Sequence, residues 1–310
     1  MNTDTIFDHN WKSEIQSIPL QLFFETSIRL DLLREDKIHP FVSGNKFRKL
    51  KYNIKEVISG GFDNIITFGG AYSNHIAAVA AAGKLAGIQT IGVIRGEELA
   101  TKVESNQTLQ FAKAQGMHLH FVSRDQYRAK KSGEFTAELK SLYGRSYMLP
   151  EGGTNELAVK GCSEIILDEY IAYDYLCASV GTGGTLAGLV VSSKENQYCV
   201  GYSALKGVFQ SSEIQNYTAK TNFKIIDNYC FGGYAKIDSE LVRFINRFKE
   251  ETDIPLDPVY TGKLLYGIFD GIQTGFFKQN SRILAIHTGG LQGISGMNSV
   301  LKKKNLPQIE

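Results

Sequence analysis

Four cations fall within six positions of SGNKFRKLKY, residues 43–52: Lys46, Arg48, Lys49 and Lys51, directly after a Ser-Gly-Asn turn. A lysine amine here could attack an aldehyde or move a proton, whereas most local lysine clusters are simply solvated. Two further stretches could receive an anion. In VGTGGTLAG, Val180–Gly188, an apolar run ends at Gly181, three glycines within four positions let backbone amides turn inward, and a helix begins near Thr185. The pattern suits a phosphate, without the Gly-Lys-Ser/Thr of a nucleotide loop or the spacing of a dinucleotide fingerprint, yet the same turn precedes many helices that bind nothing. In FGGAYSNHIAAVAAAGKLAG, residues 68–87, Ser73 or Asn74 can cap the following helix, or that helix end can face an anion with both residues on a ligand. His75 could act as an acid or base, or fill a structural place in the first helical turn. His118 and His120, two apart on one strand face with no third ligand nearby, are read as non-metal.

Such residues need a frame. β-branched runs at 64–68, 90–94, 118–122, 175–180, 223–226 and 282–287 alternate with segments that have room for helices, among them 74–85, 106–115 and 184–192. This alternation predicts an α/β fold of parallel sheets covered by helices, with ligands at the carboxyl ends of the strands. Four post-strand turns are rich in glycine and hydroxyl residues: FGGAYSNH at 68–75, PEGGTN at 150–155, SVGTGGTLAG at 179–188 and HTGGLQG at 287–293.

The 310 residues, 43% hydrophobic and 21% charged, suffice for one large or two modest domains. Against 34 basic residues stand 32 acidic ones, a net charge of +2 that is too balanced for nucleic acid or an anionic membrane as the main partner. A small molecule is the expected ligand. Residues 1–16 are polar and acidic with no signal-like run, and no stretch reaches transmembrane length, so a cytoplasmic location is expected. Cys162, Cys177, Cys199 and Cys230 lack zinc-ligand spacing and read as buried, reduced thiols.

Taken in order, SGNKFRKLKY, GAYSNHIAAVAA, PEGGTN, VGTGGTLAG, GGYAK, DPVYTGK and HTGG resemble the D-cysteine desulfhydrase and 1-aminocyclopropane-1-carboxylate deaminase family. These are pyridoxal phosphate enzymes with the tryptophan synthase β-like fold, fold type II. The match runs from about Ser43 to Gly293. It implies two domains of open parallel sheet with helices on both faces: a larger, cofactor-binding one from residues 1–49 and 154–310 and a smaller one from 50–153, with the site in the cleft between them. A homodimer is implied as well.

The cofactor implied is pyridoxal 5'-phosphate, with a small amino acid as substrate and no metal. Lys46 of Gly44-Asn45-Lys46 would form the Schiff base and serve as the proton-transfer base, while Arg48, Lys49 and Lys51 become neighbours, mostly supporting or solvated. Carried over residue by residue, Gly181, Thr182, Gly183, Gly184 and Thr185 would hold the phosphate and Asn74 the ring hydroxyl. Ser73 and Asn74, with His75 beside them, would face the substrate carboxylate. Tyr234 and Tyr260 match the family's two active-site tyrosines, with Ser73 and Tyr260 orienting substrate or assisting protons.

Two positions bear on the branch of the family. Its deaminases carry Glu after the tyrosine of the PVY motif and Leu between the His and Gly of the late HxGG motif, where its desulfhydrases carry small hydroxyl residues. This chain has Thr261 and Thr288. A hydroxyl such as that of Thr288 near the pyridine nitrogen leaves the ring largely neutral, which suffices for β-elimination of a good leaving group such as a thiolate. The expected reaction is D-cysteine to pyruvate, hydrogen sulfide and ammonia. The alternatives are a deaminase, another lyase or racemase of a small amino acid, and a non-catalytic ligand-binding protein. Tyr72, where the desulfhydrases usually have Gln, and Ala77 and Ala78, in place of a polar pair, depart from the pattern and bear on substrate identity.

Overall fold

The computed structural model describes Phe7 and residues 11–310. Most of the amino-terminal stretch read above as having no signal segment therefore lies outside the described residues. Ten strands are present among those described: β1 (Ile15–Ser17), β2 (Arg29–Leu33), β3 (Asn64–Gly69), β4 (Gln89–Arg95), β5 (His118–Val122), β6 (Ser146–Leu149), β7 (Tyr175–Val180), β8 (Tyr198–Ser203), β9 (Phe223–Ile226) and β10 (Arg282–Ile286). They form a six-stranded sheet, β1-β2-β10-β7-β8-β9, and a four-stranded sheet, β5-β4-β3-β6. Every pairing is parallel except β1 with β2. Segment 64–149 supplies the smaller sheet and the flanking segments supply the larger.

Both sheets are buried on both faces, which is why their strands read as apolar runs rather than alternating ones. Along β10, Ile283 and Ala285 pack into one core with Leu30, Leu32 and Tyr202, while Leu284 and Ile286 pack into another with Leu176, Val180 and Leu186. Along β3, Ile65 and Ile66 likewise face different cores. Helices cover these faces, among them α1 (Asn45–Ser59), α2 (Asn74–Ala86) and α3 (Gln107–Ala114).

All six strands read from the sequence are present, as are helices over the three segments named. Strands β1, β2, β6 and β8 were not read. In β2, Asp31 interrupts the apolar run; it is buried because Ser17 Oγ and Tyr173 Oη donate to its two carboxylate oxygens at 2.5 and 2.8 Å. No helix among the described residues is long and apolar enough to cross a membrane. The four cysteines are free and buried.

Candidate active site

The carboxyl ends of β7 and β10, the amino ends of α1, α2 and helix Gly184–Ser192, and the turn after β6 converge on a cavity of about 720 Å3. Each residue of the Gly44-Asn45-Lys46 triplet has a separate task here. Gly44 starts α1 at φ +64°, and a Cβ on it would lie 1.9 Å from the Thr288 carbonyl oxygen, so only glycine lets α1 approach the turn after β10. Asn45 Nδ2 donates to Thr185 Oγ1 at 2.8 Å. Lys46 lines the cavity, its amine 3.4 Å from Asn45 Oδ1. Burial, and next to it the Lys49 ammonium, bring its pKa down to about 7, so an unprotonated amine is abundant near neutral pH.

None of the neighbours in the basic run is solvated, which leaves the supporting half of the expectation for them. Arg48, Lys49 and Lys51 are 6%, 2% and 7% exposed. Arg48 grips the buried Glu35 through two bonds of 2.9 Å, and Lys51 pairs with Glu164 at 2.5 Å. Those two support the helix. Lys49 differs: no carboxylate among the described residues forms an ion pair with it, and its amine donates to Thr154 Oγ1 (2.9 Å) and, on the cavity wall, to the Gly152 carbonyl (3.0 Å) and Thr182 Oγ1 (3.4 Å). Burial lowers its pKa.

A buried cation without a counter-ion is costly unless an anion joins it. Beside it, helix Gly184–Ser192 begins at Gly183 (φ +91°) with no side-chain cap, leaving its first amides free for a ligand. A Cβ on Gly184 would fill the remaining space, 2.7 Å from Thr154 Oγ1 and 3.2 Å from Lys49 Nζ. An uncapped helix start, the hydroxyls of Thr182 and Thr185 and an unpaired ammonium together form a donor set that fits a phosphate.

Asn74 also lines the cavity, with its Oδ1 accepting from Gln292 Nε2 at 3.2 Å. Ser73 is the α2 N-cap, accepting from the Ile76 amide at 3.2 Å, and its own proton stays available. Of the Ser-Asn-His triplet only Asn74 is on the cavity wall, and His75 is turned away from it. Its ring is 3% exposed, does not line the cavity, and bonds through Nε2 to Thr67 Oγ1 at 2.8 Å, while Thr67 donates onward to the Leu149 carbonyl. Thr67 can then only accept from His75, which fixes a neutral Nε2–H tautomer and leaves buried Nδ1 without a partner. Burial, with Lys46 and Lys49 nearby, pushes its pKa well down.

Tyr260 lines the cavity and lies over Gly181, where an added Cβ would come within 3.3 Å of its ring and hydroxyl. Burial holds its pKa well above the ordinary tyrosine value, so it remains a proton-bearing phenol. Tyr234, half exposed, stands edge-on to it with ring centroids 6.2 Å apart. Its loop is tied down by Lys263, a residue that sequence reasoning passed over. Lys263 is 1% exposed, donates to the carbonyls of Cys230 (2.8 Å) and Gly233 (2.9 Å), and has its pKa lowered by burial to about 8.

The two branch positions part company. Thr288 lines the cavity and shares a 3.1 Å hydrogen bond with Ser179. Thr261 is fully buried and outside the cavity wall, its hydroxyl donating at 2.7 Å to Asp257 Oδ2. Asp257 in turn accepts from the amides of Val259, Tyr260 and Thr261. A glutamate at 261 would set a second carboxylate against this buried one. Lys49, Asn45 and Ser179 were also missed as site residues; the spacing of Lys46 and Lys49, three apart on one helix face, was the available signal.

The chain is 31% identical over 302 residues to a Pyrococcus horikoshii protein provisionally named as a 1-aminocyclopropane-1-carboxylate deaminase, spanning 91% of this chain and 90% of the relative. It is 26% identical to a D-cysteine desulfhydrase of Klebsiella pneumoniae, over 83% of this chain and 85% of that one. A crystal structure of an ACC deaminase homologue superposes with a TM-score of 0.80 at 29% identity, covering 94% of each chain. An O-acetylserine-dependent cystathionine β-synthase from Helicobacter pylori shares the fold alone, with a TM-score of 0.66 at 16% identity, covering 95% of this chain and 98% of the other. With the family profile described as pyridoxal-phosphate dependent enzyme matching residues 19–289, the chain belongs to that family.

Proposed function

We propose that this pyridoxal phosphate enzyme catalyses α,β-elimination on a small amino acid, with D-cysteine and water giving pyruvate, hydrogen sulfide and ammonia. When bound, the cofactor supplies an electron-withdrawing ring conjugated to the substrate nitrogen, which acidifies the Cα proton. The division of the chain near residues 49 and 154 is taken as the domain boundary, with the site in the cleft.

Lys49, the amides of Gly181, Gly183 and Gly184, and the hydroxyls of Thr182 and Thr185 hold the phosphate. Thr288, backed by Ser179, would offer the ring nitrogen a hydroxyl and not a carboxylate, which suits a good leaving group. Lys46 Nζ would hold the cofactor aldehyde and would serve as the base that moves the proton at Cα. Ser73 and Asn74, at the positive end of α2, bind the carboxylate. Tyr260 keeps its proton for the departing sulfur, and Tyr234 limits its movement and the access of water.

The observation that carries this reading is the Lys46 amine, with a pKa of about 7, on the wall of a cavity that also holds the unpaired Lys49 ammonium. Sulfide and pyruvate release by the cofactor-loaded protein tests it, with L-cysteine, D-serine and 1-aminocyclopropane-1-carboxylate run beside D-cysteine. Sulfide and pyruvate from D-cysteine are expected. Ammonia from the cyclopropane substrate, with no sulfide from cysteine, would replace elimination by deamination.

A further inference from the structure

The cavity has an end that cysteine would not fill. Its charged wall residues are Asp36, Lys46 and Lys49, and Asp36 is already bound by Arg34 through two bonds of 2.9 and 2.8 Å. Its apolar lining includes Pro40 and Phe41 before α1, Ala78 on α2, Phe111 on α3, and Ile294 at the start of helix Gly293–Lys303. The rings of Phe41 and Phe111 lie 5.8 Å apart. Polar side chains in this part of the wall are largely engaged with protein. Gln107 accepts from Ser295, and Asn298 exchanges two bonds with the Ile309 backbone at 2.7 and 2.8 Å.

Distance along α2 gives this end a direction. Asn74 and Ala78 are four residues apart on one face and both line the cavity, so Ala78 stands about 6 Å beyond the group assigned to the substrate carboxylate. Alanine at 78 puts only a methyl into the cavity, and Phe111 packs against the same apolar cluster.

We propose that this end is a subsite for a bulky apolar substituent on the substrate's β-carbon, and that the preferred substrates are cysteines bearing an aryl or alkyl group on sulfur. This inference rests on the elimination reading given above. The reaction is R–S–CH2–CH(NH3+)–COO− plus water giving R–SH, pyruvate and ammonium. The Cα proton leaves, the Cβ–S bond breaks with its electrons going to sulfur, sulfur takes a proton, and water hydrolyses the released imine. An apolar R group gains by leaving water, a gain absent for the hydrosulfide of cysteine itself.

The test compares S-benzyl-cysteine with cysteine as substrates, each as D and L enantiomer, by pyruvate release from the holoenzyme. Independently of turnover, calorimetry compares the binding of phenylalanine and alanine, which cannot lose a β-substituent. A kcat/KM at least roughly tenfold higher for the benzyl thioether, and phenylalanine binding about tenfold tighter than alanine, are expected. Both preferences should shrink toward one in Ala78→Gln and Phe111→Ser, with the visible absorbance of bound cofactor reporting that each variant is folded. Equal or weaker binding of phenylalanine in the wild type, or ratios unmoved in both variants, would overturn the subsite. If no sulfur substrate yields pyruvate while phenylalanine is still preferred, elimination fails and the apolar subsite stands.

Discussion

Of the helices that point their amino ends at the cavity, two are built in opposite ways. At α2, Ser73 sits in extended conformation (φ −74°, ψ 115°) and spends its oxygen on the Ile76 amide. At helix Gly184–Ser192 the N-cap is a left-handed glycine with no side chain to offer, and the nearest cation, Lys49, lacks a carboxylate partner among the described residues. The first end has partly satisfied itself; the second is complete only with an anion. Under the function proposed above, the difference favours the more highly charged group, phosphate, at the glycine end and the singly charged substrate carboxylate at α2. In the sequence both look alike, as glycine-rich turns before apolar helices.

The largest expected effect falls on the amine between the two ends. Replacing Lys46 by Ala should lower turnover by on the order of a thousandfold or more and alter the visible spectrum of the bound cofactor. Unchanged absorbance and activity would remove Lys46 from the mechanism.

Next come the groups that make the glycine end distinctive. Lys49→Met removes a charge-assisted contact of about 1.5–3 kcal/mol, so cofactor affinity should fall roughly 10- to 100-fold as read by equilibrium dialysis. Because the Lys49 charge helps to depress the Lys46 pKa, the acid limb of the pH–rate profile should also move to higher pH. Gly184→Ala, whose methyl would meet Thr154 Oγ1 at 2.7 Å, should weaken cofactor binding without moving that limb. If both variants shift the profile equally, the charge of Lys49 is not what tunes Lys46.

The same pKa has a signature in stability. In the cofactor-free protein Lys46 holds fewer protons than in the unfolded chain between pH about 7 and the ordinary lysine value near 10.5. The unfolded state then binds the extra proton, so stability should rise with pH across that window. Denaturant melts at pH 7 and 9 measure it, and Lys46→Met should flatten the rise.

How far the sequence disclosed all this differs by element. Buried parallel strands such as Ile65–Phe68 and Leu176–Val180 were legible because both faces are apolar and the run is unbroken. Strand β8, with Tyr198, Gly201 and Ser203, was not, because its apolarity comes from packing: a Cβ on Gly201 would lie 2.4 Å from Leu186. The basic run misled for a related reason. Its burial depends on partners remote in sequence, Glu35 for Arg48 and Glu164 for Lys51, and no local pattern announces those. Lys46 was reached through the order of motifs, whereas the orientation of His75, toward Thr67 and away from the cavity, depends on how α2 lies against β3 and is not encoded in the Ser-Asn-His triplet.

The smallest effect is the most discriminating about α2. Ser73→Ala removes the cap and should cost about 1 kcal/mol, a fall in Tm of about 2 °C, together with a modest rise in KM. That result alone cannot separate a cap from a substrate ligand. Ser73→Asp can, since aspartate caps as well as serine does and, beside the helix dipole, holds or raises stability. Its carboxylate would nonetheless compete with the substrate's for the same amides and repel it. A variant with unchanged Tm, unchanged cofactor spectrum and KM raised about tenfold or more is expected. Unchanged KM in Ser73→Asp would reduce Ser73 to the capping role that its bond to Ile76 already explains, and would leave Asn74 to hold the carboxylate.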